Sequence, residues 1–242
     1  MTHQCFSLLC YKPNDIWIKF LSTFIKYDIY IFIDDNTIDY KDKYTKYNNI
    51  NIIQIDDNEC IINGFTNINF TLKKTVTSWE KSLYYFSNIN TKYNNIWFCE
   101  DDVFFYNEET LLSIDLKYNN FDLLSNCYEE NLNGHKNDWD WDKIDIKFDP
   151  PYYHAMMCCT RMSSKLLNEI NNYAHEYYTL FYLEALFPTI CKKYNMLYET
   201  PIEFNNIIYR KDYTDCDIDK YNLFHPVKDI TMHLYYRNML LH

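Results

Sequence analysis

The chain has 242 residues, of which 48% are hydrophobic and 19% aromatic, so it can build a core and is not a disordered chain. Its formal net charge of −11 argues against nucleic acid and anionic membrane surfaces as partners, because both are bound through basic patches. Only two glycines, Gly64 and Gly134, occur, which excludes the glycine-rich loops GxGxxG and GxxxxGK[ST]. A nucleotide would therefore have to be held by a metal ion and by side chains.

The nine cysteines include no CxxC pair and no cysteine–histidine spacing typical of a zinc site. We therefore expect most of them to be small buried residues in a reducing compartment. No signal peptide and no apolar run long enough to cross a bilayer can be recognised, which predicts a cytoplasmic protein without membrane insertion. The abundance of Asn, Ile, Lys and Tyr, which AT-rich codons encode, favours a giant virus or an AT-rich protist as the source.

In chain order, the first part of the sequence predicts alternating strands and helices. The elements are a strand over Gln4–Cys10, a helix capped by Asn14, strands over Asp28–Ile33 and Ile50–Ile55, a helix with apolar residues Val76, Trp79, Leu83 and Phe86, and a strand over Asn95–Cys99. The first helix is expected to bury Ile16, Phe20, Leu21 and Phe24. Several strands are continuously apolar, which is typical of a mostly parallel α/β sheet covered by helices on both faces.

The remaining residues give weaker patterns. They predict a strand over Phe121–Ser125, a polar loop over Glu129–Asp145, a strand over His154–Thr160 and a helix capped by Ser163. The aromatic segment Tyr177–Tyr194 is expected to be kinked or divided at Pro188. Since there is neither a repeat nor a clear linker, we predict one domain over residues 1–242.

Acidic pairs follow three of the predicted strands, namely Asp34-Asp35, Asp56-Asp57 and Asp101-Asp102. Ligands of open α/β sheets bind outside the carboxyl ends of the strands, so these pairs are expected to converge on a site. Asp and Asn also start turns, and for Asp56-Asp57 we favour that simpler role. For Asp34-Asp35 both interpretations are open.

The acidic cluster Glu100-Asp101-Asp102 interrupts an apolar stretch that begins at Trp97 and resumes at Val103. Burying such a cluster unpaired would cost several kcal/mol, so stability gives no reason to place it there. A divalent cation at the end of the strand does give one. Glu100 and Asp102 are therefore the predicted metal ligands, and a solvated acidic turn is the alternative.

Two features of the second half of the chain suit a sugar acceptor. Trp139 and Trp141 lie among aspartates, where exposed indoles can cover the C–H groups of a sugar; the alternative is that both pack inward. Glu184 is isolated in an apolar aromatic segment, where desolvation would raise its pKa and make it a usable general base. Its alternative is an exposed position on a polar helix face, and Asp138, Asp140 and Asp142 are weaker candidates for the base.

In this order, the motifs resemble those of a GT-A type nucleotide-sugar-dependent glycosyltransferase. The matching segments are Ile33-Asp34-Asp35-Asn36, the DxD-like Trp97–Val103, the acceptor-side segment Asp149–Tyr153 through Arg161–Ser163, the carboxylate-bearing Phe181–Ala185 and the HPVK-like Phe224–Lys228. Glu100 stands where the family usually has Asp. The resemblance implies a GT-A-like (Rossmann-like) fold, with nucleotide-sugar binding over about residues 1–125 and acceptor binding over about 126–242.

The resemblance also implies the chemistry of the site. Mn²⁺ or Mg²⁺ would bridge the diphosphate of a UDP- or GDP-sugar, with UDP-sugars favoured, and a hydroxyl of a glycan or glycoprotein would accept the sugar. On the donor side, His225 is implied as a further metal ligand or phosphate contact, Lys228 neutralises phosphate, Asp34, Asp35 and Tyr11 contact the nucleotide, and Asp101 orients the donor sugar. On the acceptor side, Trp139, Trp141 and Tyr153 contact the acceptor, and Glu184 is the base of an inverting reaction. For His225, an ordinary core or surface imidazole is the alternative.

Two other classes of function compete with this interpretation. A magnesium-dependent phosphatase or nucleotidyltransferase also uses carboxylates at strand ends, but the haloacid-dehalogenase-like pattern DxDx[TV] fails at Asn36, where an acid is needed. A non-catalytic carbohydrate-binding protein could use the tryptophan and tyrosine surfaces. Such a module would need neither acidic strand ends nor His225 and Lys228.

Overall fold

The computed structural model describes residues 4–67, 74–89, 93–135 and 139–241. Among these residues, seven strands form one sheet in the order β3-β2-β1-β4-β6-β5-β7, and two short strands pair separately. The strands are β1 Gln4–Cys10, β2 Tyr27–Ile33, β3 Ile50–Gln54, β4 Asn95–Glu100, β5 Leu123–Asn131, β6 Tyr152–Ser163, β7 Tyr198–Glu199, β8 Asn206–Ile207 and β9 Phe224–His225. The helices are α1 Asp15–Leu21, α2 Asp57–Ile62, α3 Ser78–Asn88, α4 Glu108–Lys117, α5 Ser164–Tyr177, α6 Leu183–Lys193 and α7 Ile230–Met239.

The sheet is mostly parallel, as the continuously apolar strands predict. β3, β2, β1 and β4 run parallel to one another, while β6 is antiparallel to both β4 and β5. The carboxyl ends of the parallel strands therefore lie along one edge, and β4 occupies the middle of the sheet. This arrangement confirms the predicted α/β architecture and places the acidic strand ends on one side of the molecule.

Alternate residues of the central strands enter two different cores, because successive side chains of a strand point to opposite faces. Leu9 of β1 and Phe98 of β4 pack with α3, α5 and α6, whereas Leu8 and Trp97 pack with α1 and α4 on the other face. Strands covered on both faces need apolar residues at every position, which explains their unbroken hydrophobic runs. The rigid centre of the fold thus carries the tip of β4.

Helix starts follow the capping residues of the sequence. The Asn14 side chain accepts a hydrogen bond of 2.9 Å from the Trp17 amide, and Ser163 caps α5 in the same way. The predicted buried face of α1 was right for Leu21 and wrong for Ile16 and Phe20, which are half-buried, while Trp17 and Ile18 are buried instead. The helix ends at Leu21, so Phe24 reaches the core from the following turn.

Three further predictions of local structure need correction. The helices α2 and α4 were not predicted, and β5 continues to Asn131, into the segment predicted as a polar loop, because it pairs with β6. Pro188 does not divide the aromatic segment, since α6 runs through it from Leu183 to Lys193. Proline has no backbone N–H, so the carbonyl of Glu184, four residues earlier, lacks the hydrogen-bond donor that a helix normally provides.

The cysteines and the helices agree with the compositional expectations. Seven of the nine cysteines are buried, and none forms a disulfide; Cys127 and Cys216 are exposed. In the described part of the chain, every helix is too short or too polar to cross a bilayer.

Candidate functional site

Glu100, Asp102 and His225 meet at the tip of β4. Glu100 is the last residue of that strand, Asp102 follows two residues later, and His225 ends β9. One ligand atom from each of the three lies within 4.8 Å of the other two, and His225 Nε2 is 3.5 Å from Asp102 Oδ1. Two carboxylates and an imidazole are ligands that suit Mn²⁺. Mg²⁺ is suited by the two carboxylates of this set.

Backbone hydrogen bonds bring the distant His225 to this strand tip. Phe104 and Phe224 exchange two of them, with N–O distances of 2.8 and 2.9 Å. The Val227 amide donates to the Asp102 carbonyl at 2.7 Å. The Tyr213 hydroxyl donates to the His225 carbonyl at 2.9 Å from the opposite side. The chain on both sides of His225 is therefore fixed relative to the acidic turn.

Neighbouring groups orient two of the three side chains. His225 Nδ1 lies 2.8 Å from the Ile208 carbonyl, and a carbonyl can only accept, so Nδ1 carries a proton and donates. Nε2 is thereby directed at Asp102, as in metal-binding histidines whose second nitrogen is bonded to the protein. The indole Nε1 of Trp79 donates to Glu100 Oε1 at 2.7 Å, which fixes that carboxylate as well.

The electrostatics of the cluster favour a cation. Burial and then the charge of Asp102 raise the pKa of Glu100, and the same two causes raise the pKa of Asp101 to about 6. Burial lowers the pKa of His225, but its contact with Asp102 and the Asp102 charge outweigh that effect and raise it. Asp102 Oδ1 is buried and has no hydrogen-bond partner among the described residues. A divalent ion would satisfy this oxygen and take the place of the proton on His225 Nε2, so the residues fit the metal.

Glu184 faces the same cavity from the first turn of α6. The cavity has a volume of about 310 Å³, and its walls include Glu100, His225, Cys158, Tyr182 and Glu184. Burial raises the pKa of Glu184 to about 7; a hydrogen bond with Tyr182 lowers it, and the charges of Glu100 and Asp140 raise it further. The carboxyl group can therefore lose and regain a proton near neutral pH. Asp101 is half-buried, and its carbonyl accepts a hydrogen bond of 2.8 Å from the Trp17 indole.

The acidic residues after β2 have protein partners. Asp34 contacts Lys74 and lies 3.8 Å from Lys81. Asp35 accepts hydrogen bonds from Tyr40 and Thr37 at 2.7 and 3.0 Å, and these bonds lower its pKa to about 2. Both carboxylates thus have structural roles at this strand end.

Tyr11 and the pair Asp56-Asp57 lie at the strand ends beside β2. Tyr11 is 63% exposed just after β1, so its ring is open to a ligand. Asp56 caps α2, as its interpretation as a turn residue predicted, and Asp57 Oδ1 lies 2.9 Å from the Lys81 ammonium.

Lys228 lies in a basic cleft that sequence reasoning found only in part. Arg210 and Lys211 line the cleft with Lys228 and Pro226, the residue that follows His225, and its volume is about 620 Å³. Asp212 and Asp229 also line it. The adjacent pair Arg210-Lys211 in a chain of net charge −11 was the available signal, but only the fold places it beside Lys228.

The residues predicted to contact the acceptor lie in different places in the structure. Trp139 is 37% exposed, whereas Trp141 is only 5% exposed and packs against Tyr152 and His154, so the expectation of two exposed indoles was wrong for Trp141. Tyr153 stacks on Tyr128 and lines a different cavity, beside Pro151 and Lys192. Asp140 lines the groove next to Glu184, Asp142 is exposed, and Asp138 lies outside the described residues.

Comparison with known proteins supports the fold. No family model matches the chain, and neither does any curated protein. A solved structure of 4-diphosphocytidyl-2C-methyl-D-erythritol synthase from Anaerococcus prevotii is similar, with a TM-score of 0.50 and 7% identity over 100% of this chain and 97% of that one. The fold is GT-A-like. At this level of identity the likeness concerns the Rossmann-like sheet and its flanking helices, and the site is argued from its own geometry.

Proposed function

We propose that the protein is a metal-dependent glycosyltransferase. It moves a sugar from a nucleotide-diphosphate donor, with UDP-sugars favoured, to a hydroxyl of a glycan or glycoprotein. The observation that carries the proposal is the cluster of Glu100, Asp102 and His225 at the carboxyl end of the central strand, in which one buried Asp102 oxygen has no hydrogen-bond partner among the described residues. Glycine-rich phosphate loops are absent from the sequence, so the diphosphate needs such a centre.

The charges around the centre fit a diphosphate. When bound, Mn²⁺ or Mg²⁺ neutralises the negative charge that develops on the leaving nucleoside diphosphate. Glu100, Asp102 and His225 would hold the ion, while Lys228, with Arg210 and Lys211 in the same cleft, would pair with phosphate oxygens. Asp34, Asp35 and the exposed Tyr11 lie at the neighbouring strand ends, on the side proposed for the base and ribose.

Glu184 is the proposed base. It lies on the wall of the cavity shared with Glu100 and His225, and its pKa of about 7 suits a group that accepts the proton of an acceptor hydroxyl. The deprotonated oxygen then attacks the anomeric carbon while the bond to the diphosphate breaks, which inverts the configuration. Asp101, beside the metal ligands, orients the donor sugar.

Nucleotidyl transfer is the second candidate. It is favoured by the name of the similar solved structure, a diphosphocytidyl-methylerythritol synthase. The two reactions differ in the bond that breaks: glycosyl transfer releases a nucleoside diphosphate, whereas nucleotidyl transfer from a triphosphate releases pyrophosphate. A phosphatase would instead release inorganic phosphate from a monoester, and a binding module would release nothing.

The test is turnover of a donor panel with Mn²⁺. We expect a UDP- or GDP-sugar to be hydrolysed slowly or transferred, with release of UDP or GDP, and chelation of the metal to abolish the release. Asp102→Asn should lower the rate at least about 100-fold, because loss of a charged ligand weakens the ion that stabilises the leaving group. Glu109→Gln, an exposed change on α4, is the matched control. Release of pyrophosphate alone, or full activity in Asp102→Asn, would contradict the proposal.

A further inference from the structure

A second cavity opens beside Glu184; Tyr209 is part of its wall, and Glu100 is not. Its volume is about 530 Å³, and it shares Met156, Tyr182, Glu184 and Tyr209 with the cavity at the metal centre. The two cavities are therefore neighbours along one groove, and Glu184 belongs to both. A molecule in the second cavity would have its end next to the carboxyl group of Glu184.

Trp139 forms one wall of this second cavity. Its ring is stacked on His154, with 4.3 Å between the ring centroids and an angle of 4° between the planes. His154 lies 3.1 Å from a Glu129 oxygen, and burial lowers the pKa of His154 although Glu129 opposes that effect. The indole is thus supported from one side while 37% of the residue stays exposed. Such a supported ring is suited to cover the C–H face of a sugar.

The charged residues in the described lining of this cavity are all acidic. Glu129, Asp140 and Glu184 line it, and no lysine or arginine does so among the described residues. The cleft beside Pro226 has the opposite character, with Arg210, Lys211 and Lys228 in its wall. Carboxylates accept hydrogen bonds from hydroxyl groups and repel anions, so the lining selects against phosphate, sulfate and uronate groups.

Two residues of the lining have backbone conformations that side chains seldom adopt. Trp139 has a φ of 48° and Cys127 a φ of 53°, both in the left-handed region. Cys127 lies where β5 shifts its register against β6. Such conformations carry backbone strain and are common at ligand sites. They support the assignment made from the ring, the charges and the cavity.

We propose that this cavity binds an uncharged sugar of the acceptor. The apolar face of the sugar stacks on Trp139, its hydroxyls donate to Glu129 and Asp140, and the reacting hydroxyl lies at Glu184. The proposal rests on the proposed function in that it makes the bound sugar the acceptor. It adds a substrate class: an acceptor glycan that would place a terminal uronate, phosphate or sulfate in this subsite is excluded as a substrate.

The experiment measures sugar binding without donor or metal. The protein is labelled with 5-fluorotryptophan, which gives a ¹⁹F signal for each of its five tryptophans, and Trp139→Phe identifies the signal of Trp139. The probes are the methyl glycosides of glucose, galactose, mannose and N-acetylglucosamine, with methyl glucuronide and methyl galacturonide as charged counterparts. We expect at least one neutral glycoside to move the Trp139 signal, and its uronate counterpart to bind at least tenfold more weakly.

Variants separate the subsite from general effects. Trp139→Ala should weaken the binding of that neutral glycoside at least tenfold, measured by saturation-transfer NMR, while Tyr178→Ala, an exposed aromatic residue elsewhere, should not. Glu129→Gln should reduce the preference over the uronate. If no neutral probe moves the Trp139 signal, if uronates bind equally well, or if Trp139→Ala binds normally, the proposal is wrong. A failed donor assay with intact sugar binding would reject the transferase and leave the subsite in place.

Discussion

The tips of β2 and β4 carry similar acidic sequences with opposite surroundings. At β2, the buried Lys81 donates a hydrogen bond of 2.9 Å to the Asp34 carbonyl and forms an ion pair of 2.9 Å with Asp57, while Lys74 contacts Asp34. At β4, Glu100 and Asp102 meet an imidazole, and one Asp102 oxygen has no hydrogen-bond partner among the described residues. The first tip is neutralised by two lysines, whereas the counter-group at the second tip among the described residues is the imidazole of His225, 3.5 Å from Asp102.

This difference shows how to distinguish a structural acidic turn from a ligand site. Both tips lie at carboxyl ends of parallel strands, so position alone does not separate them. A buried carboxylate needs a counter-charge, and where the chain provides a lysine the requirement is already met. Where it provides no lysine or arginine, an exogenous cation is the remaining partner.

The largest effect is expected across the cavity, at Glu184. Glu184→Gln should lower turnover by about 10²–10⁴, because an amide cannot accept the acceptor proton, while KM for the donor stays nearly the same. The base works only when ionised, so wild-type turnover should fall as pH drops through about 7. A bound cation would offset the charge of Glu100, so this fall in turnover, the acidic limb of the pH profile, would occur at lower pH.

The control for Glu184 is the pH profile of the variant. Glu184→Gln should lose the acidic limb while keeping its Mn²⁺ dependence, which separates loss of the base from loss of the metal. Turnover equal to wild type, or an unchanged acidic limb in the variant, would show that another group takes the proton.

The next effect concerns stability at the tip of β2. Lys81→Met should lower the free energy of unfolding by about 2–4 kcal/mol, since it removes the buried partner of Asp34 and Asp57, and Asp57 is partly exposed. Lys74→Met is the matched control: its side chain is 43% exposed, so the expected loss is below about 1 kcal/mol. Urea unfolding measures both. Equal losses would mean that burial of Lys81 is not what neutralises this tip.

The smallest effect is the stabilisation by metal at the tip of β4. Mn²⁺ at about 100 times its Kd should stabilise the wild type by about 2.7 kcal/mol, or roughly 5–10 °C in thermal unfolding. Asp102→Asn should abolish most of this shift. The Lys81→Met protein should keep it, because its change lies at the other tip. A shift that survives in Asp102→Asn would place the ion elsewhere.

Sequence reasoning predicted the parallel half of the sheet well because its signals are local. Apolar runs and capping residues such as Asn14 and Ser163 depend on neighbours in the chain. It also proposed Glu100 and Asp102 as metal ligands from the acidic cluster at a strand end, whereas His225 was implied only by the resemblance. The structure brings these three residues together, and their roles stay predictions.

Other features depend on contacts that no local pattern contains. β5 extends to Asn131 because β6 offers it a partner, and α4 has apolar and charged residues mixed along its length. The convergence of Arg210 and Lys211 with Lys228 is set by the loop between β8 and β9. For Trp139 and Trp141 exposure and inward packing were both open; Trp141, which begins a short 3₁₀ turn, packs inward, whereas Trp139 stays 37% exposed. Tertiary packing decided each of these cases.

The pair of backbone bonds between Phe104 and Phe224 has a consequence for how the site opens. With the bond from Val227 to Asp102, they tie the segment bearing His225 to the acidic turn, and no pairing within the large sheet depends on them. Release of these three bonds would separate His225 from Asp102 while the sheet stays folded. Deuterium exchange at the amides of Phe104, Phe224 and Val227 therefore reports how often this junction comes apart, and metal should slow all three together.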